Sequence, residues 1–97
     1  PWGSDRVAAY QAQFDLARGE VESAERWAQA SDLNIDDELE LHREVEYLTL
    51  ARVFIVQNRF EQALSLLGRL HQTAQAIGKM QSVLETLMLQ AMALSAQ

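Results

Sequence analysis

Apolar residues recur along the chain at intervals of three and four, a spacing that predicts five helical stretches divided by short breaks. The first covers 5–18, with Val7, Tyr10, Phe14 and Ala17 on its packing face and Gly19 ending it. The second, 21–31, groups Val21, Ala24, Trp27 and Ala28 before the polar linker Ser31-Asp32-Leu33-Asn34. The third, 36–57, carries Leu39, Val45, Tyr47, Leu50, Ala51, Phe54 and Ile55, a stripe that widens toward its carboxyl end and predicts burial there on several sides. Asn58-Arg59 forms the next break. A fourth helix over 59–77 then presents Phe60, Ala63, Leu64, Leu67 and Leu70 and closes at Gly78. The fifth, 79–96, is apolar almost all round, from Val83 through Met88 and Met92 to Leu94, and is expected to need cover from helices on both sides. No sheet is expected: proline occurs once, at the chain start, and Ala, Leu, Glu and Gln dominate over β-branched residues.

The stretches repeat. The segment 17–24 aligns with 56–63 at an offset of 39, which also pairs Ala12 with Ala51 and Phe14 with Val53. Both copies read as helix, tight turn, helix. At an offset of 40, Leu87, Ala91, Leu94 and Gln97 match Tyr47, Ala51, Phe54 and Gln57, so a third copy begins and stops at the turn. Small residues at Ala51 and Ala63 let paired helices approach, while Phe54, Phe60 and Leu67 fill the hairpin between them. The expected fold is all-α: antiparallel helical hairpins stacked as a right-handed α–α superhelix, one helical-repeat unit over 1–97. A final helix so apolar, with no amphipathic partner after it, is expected of a piece of a longer parent protein, because end units of repeat arrays carry a polar outer face.

Tyr47, Leu50, Ala51, Phe54, Ala63 and Leu67 reproduce the order large, Leu, small, aromatic, Ala, large of the tetratricopeptide repeat, which the chain resembles. It departs from that pattern twice. Gln75 stands where a proline is expected, and the period of 39 to 40 exceeds the usual 34. The wording Glu44-Val45-Glu46-Tyr47-Leu48-Thr49-Leu50-Ala51-Arg52-Val53, then a turn and Glu61-Gln62-Ala63-Leu64-Ser65-Leu66-Leu67, resembles the large MalT-like regulators of the LuxR family. In that family an ATP-binding module, a helical-repeat sensor region and a helix-turn-helix domain form a signal-responsive transcriptional activator. The resemblance covers nearly the whole chain but only the sensor region. The sequence holds no Gly-rich phosphate loop and no short basic recognition helix, so ATP use and DNA binding are expected of other domains of the parent.

Composition narrows this further. The chain has 97 residues and no cysteine, so no disulfide framework, thiolate metal site or Cys nucleophile is available; a cytoplasmic setting is expected. No apolar run approaches the roughly 18 residues of a membrane span, and no membrane partner is expected. Of the net charge of −6, the imbalance lies between Asp32 and Glu46, where seven acids face Arg43 alone. Such a stretch repels a phosphate backbone, and no compensating basic stripe appears elsewhere, so direct nucleic-acid contact is not expected. Acids in a first helical turn interact favourably with the helix dipole, which accounts for the run.

Candidate chemistry is thin. His42 and Glu46 lie four apart on one helical face, but His71 sits on a different helix and no second half of a metal site is evident. Asp36-Asp37-Glu38 point in different directions on a helix, so paired acid–base work is not expected. No enzyme activity, metal or cofactor is expected in this fragment. Trp27 reads as a core residue between the first and second hairpins, and Trp2 as cover for a preceding repeat.

Stacked hairpins curve and line their concave side with first helices. The positions one after the packing positions give Gln13, Leu48, Arg52, Ile55, Met88 and Met92 as candidate lining, an apolar groove with adaptable Met side chains and an Arg anchor. Two occupants stay open: an effector small molecule or regulatory protein, and either the adjoining repeats of the parent or a second copy meeting the fifth helix. The function expected from the resemblance is a ligand- or protein-binding sensor module controlling its parent activator. The alternative is a general tetratricopeptide scaffold unrelated to transcription; the chaperone-tail kind needs several Lys and Asn residues, and Lys79 is the only lysine.

Overall fold

The computed structural model describes residues 4–31, 33 and 43–96. Among these residues the chain forms five α-helices and no strand: α1 Ser4–Ala17, α2 Val21–Ala30, α3 Glu44–Val56, α4 Phe60–Ile77 and α5 Met80–Ala96. Trp2, Leu39, His42 and the Asp36-Asp37-Glu38 run lie outside the described residues, as does the predicted start of the third helix.

Local turn chemistry repeats with the sequence. After α1, Gly19 takes a left-handed φ of 82° and Asn58, at its equivalent after α3, takes 63°. The N–H of Glu20 donates to the carbonyl of Asp15 and that of Arg59 to Phe54, each at 2.8 Å. Gly19 likewise donates to Leu16 and Asn58 to Ile55, each at 3.1 Å. These paired bonds satisfy the last helical carbonyls and reverse the chain within two residues. Gly78, with φ 74°, closes α4 in the same way, Lys79 donating to Ala74 at 2.9 Å.

Packing follows the nearest-neighbour plan of a helical repeat. α1 packs on α2, α3 on α4, and α3 also meets α1, α2 and α5, while α4 packs on α5. α3 is therefore the central element, and its run Glu46–Ala51 is buried on every side, followed by Val53 and Phe54. This burial lies in the carboxyl part of the predicted 36–57 stretch, where the stripe widens, and ends before Val56, which reaches the turn and is exposed. The main core joins Tyr47, Leu50, Ala51 and Phe54 of α3 to Ala63, Leu66, Leu67 and Leu70 of α4 and to Leu89 of α5. Ala51 and Ala63 have no exposed surface, as close helix approach requires. A second cluster of Ala12, Ala24 and Val53 locks the first hairpin onto α3, and Trp27 packs against both clusters.

One packing expectation is corrected. On α1 the buried residues are Ala9 and Ala12, with Val7, Tyr10 and Phe14 at 67%, 53% and 56% exposure and Ala17 exposed as well. The repeat explains it: Tyr10 and Phe14 stand where α3 has Thr49 and Val53, the positions by which α3 packs on the hairpin before it. No hairpin covers that face of α1 among the described residues. On α5 one side is covered, through Val83, Thr86, Leu89 and Ala93, whereas Met80, Leu84, Leu87, Met88 and Leu94 face outward.

Candidate binding groove

The first helix of each hairpin, α1, and α3 and α5 after it, forms one face of the stack with α3 as its floor. Two cavities open there. One, of about 220 Å³, is walled by Leu16 and Ala17 of α1, Ile55 and Val56 of α3, and Leu89 and Met92 of α5, with Gln13 and Arg52 as its polar members. The other, of about 410 Å³, lies toward the opposite end of α3 and is bounded by Tyr10, Gln13, Leu48, Glu44, Glu85 and Lys79 among others.

The sequence-derived lining distributes over this face as follows. Gln13, Arg52 and Met92 occupy the same repeat position on α1, α3 and α5 and converge on the first cavity, where Ile55 joins them. Leu48 borders the second cavity and is almost fully buried, at 3% exposure, so it offers a floor rather than a free contact. Met88 is half exposed on α5 and lines neither of these two cavities. Leu16 was missed, although it is the repeat equivalent of Ile55 at the offset of 39. Leu89 and Glu85 were missed too; both sit on the flank of α5 that turns back toward α3, a flank that uniform apolarity hides.

Polar groups fix the groove. Gln13 Nε2 donates to Thr49 Oγ1 at 2.7 Å, and that hydroxyl donates to the Val45 carbonyl at 2.7 Å, tying α1 to α3. Glu44 accepts from Lys79 Nζ at 3.0 Å and from Ser82 Oγ at 2.9 Å, tying α3 to α5 at the rim. Arg52 Nη2 approaches Glu85 Oε2 at 3.5 Å, the outer limit of a hydrogen bond, and Arg52 Nε is buried with no acceptor. Beyond the groove, Arg43 forms a two-pronged pair with Glu46, at 3.2 and 2.9 Å. His71 Nδ1 lies 3.1 Å from Thr86 Oγ1, whose proton goes to the Val83 carbonyl, so the ring is the donor. Glu46 and His71 are thus each held in separate structural contacts. Among the described residues no group of three His, Asp or Glu side chains could hold a metal ion, and no helix is long and apolar enough to cross a membrane.

The smaller cavity, then, is apolar with one guanidinium and one carboxamide, and the larger is rimmed by Glu44, Lys79, Ser82 and Glu85; both are presented by repeated first helices, and comparison with known proteins agrees with that helical-repeat architecture. No curated protein and no solved structure matches the chain. The family model described as the MalT-like TPR region matches residues 2–97. With the match running over nearly every residue, the chain belongs to the family of MalT-like tetratricopeptide-repeat regions.

Proposed function

We propose that this chain is the effector-binding repeat module of a MalT-type, LuxR-family transcriptional activator, acting in the cytoplasm. The observation that carries the reading is the convergence of Gln13, Arg52, Ile55 and Met92 on one apolar cavity across three successive first helices. A ligand in that cavity touches α1, α3 and α5 at once. It therefore binds one relative placement of the hairpins more tightly than another, and differential affinity is what shifts a conformational equilibrium. The module contributes binding and no catalysis or cofactor of its own; ATP and DNA are handled by other domains of the parent. The outward stripe of α5 takes a further helix, from the parent's adjoining repeats or from a second copy.

The test uses the parent activator. Ala17→Trp, which fills the cavity from α1 at an exposed position, is expected to abolish the inducer response of a reporter while leaving basal expression and protein level unchanged. An unaltered dose–response curve would refute the assignment of the groove.

A further inference from the structure

Resting on that reading, the structure assigns a ligand class to the smaller cavity: we infer that it takes a small apolar carboxylate, whose head group displaces Glu85 from Arg52. Size sets the first limit. At about 220 Å³ the cavity is below the roughly 300–1,000 Å³ of sites for drug-sized ligands, so its occupant is small. Its walls are aliphatic side chains and Met92, which call for an apolar body.

The head group is set by Arg52, the one charged residue lining this cavity. Nε and Nη2 of an arginine form one fork that matches the two oxygens of a carboxylate. Here the fork is half used. Glu85 reaches Nη2 alone, at 3.5 Å, and Nε is buried without an acceptor. A buried donor left unpaired is costly, and a carboxylate spanning both nitrogens would remove that cost. Glu85 can yield, because its side chain keeps about a third of its surface in water (35%) and can be rehydrated on leaving. Arg52 belongs to α3 and Glu85 to α5, so the exchange releases the ion pair between those helices while the ligand body bridges α1 to α5.

Octanoate is the probe, with octan-1-ol as its uncharged counterpart, titrated into the 97-residue chain and followed by calorimetry and by the Arg52 Nε–H resonance. Octanoate is expected to bind saturably at one site and move that resonance, with octan-1-ol at least tenfold weaker. Arg52→Lys keeps the charge, loses the fork and should weaken octanoate at least fivefold with helicity unchanged by circular dichroism. Glu85→Gln weakens the competitor and should tighten octanoate severalfold. Equal binding of the alcohol, or weaker octanoate binding in Glu85→Gln, overturns the proposal. If octanoate fails to bind while Ala17→Trp still silences the parent's response, the ligand class is wrong and the groove assignment stands.

Discussion

Asn58 shows how much one residue can report. It takes a left-handed φ of 63°, a conformation that costs a residue with a Cβ about 1 kcal/mol relative to glycine, yet its partner in the other hairpin, Gly19, has no such cost. Asn58→Gly should therefore raise stability by about 0.5–1 kcal/mol in urea unfolding, and Gly19→Ala should lower it by a similar amount. No atom lies within 4 Å of a Cβ built at Gly19, so the loss there is conformational and not steric. Should Gly19→Ala leave the midpoint unmoved, the turn is not holding the hairpin as described. Leu67, fully buried between α3 and α4, tests packing in the same way. Leu67→Ala is expected to cost about 2–5 kcal/mol, the lost burial of its side chain plus the cavity left in the core.

At the scale of the element, α5 is the informative helix. Its outward residues Met80, Leu84, Leu87, Ala91 and Leu94 follow a 4-3-4-3 spacing, the seam of a two-helix contact, and carry no charge. Its one acid, Glu85, turns toward Arg52 on α3. Such a stripe associates weakly with another helix in water, and the full chain is expected to self-associate reversibly as concentration rises. Leu87→Glu, which places a charge at the centre of the stripe at a site already 48% exposed, should return the protein to a monomer in sedimentation velocity without loss of helicity. A monomer at high concentration in the unsubstituted chain would contradict this.

For the whole molecule, the decisive fact is that α3 touches every other helix. Repeat proteins unfold as coupled neighbours, and a stack this short, joined through one shared helix, has no part that can melt alone at little cost. Thermal unfolding should appear as one transition by both near- and far-ultraviolet circular dichroism, with Leu67→Ala and Ala12→Gly each lowering the same midpoint. Two separated transitions would mean that the hairpins are independent. The same connectivity gives the groove its meaning, because a ligand spanning α1, α3 and α5 acts on the arrangement of hairpins and not on any one of them.

The helices, their turns and the family resemblance were legible in the sequence, because local spacing, Gly19, Asn58 and Gly78 and the offset of 39 are properties of neighbouring residues and of repetition. The candidate groove was legible in the positions that repeat, Gln13, Arg52 and Met92, since a residue's place in one hairpin implies its place in the next. Tertiary structure alone decided which apolar face each end helix buries. Val7, Tyr10 and Phe14 have the spacing of a core stripe, but the face buried against the rest of the stack is that of Ala9 and Ala12, with Leu16 packed beside them, because a helix with two apolar faces is oriented by its neighbours. Tertiary structure also placed Glu85 opposite Arg52, thirty-three residues away, and left the guanidinium half satisfied. No periodicity along the chain encodes that meeting, which arises only where α5 crosses α3.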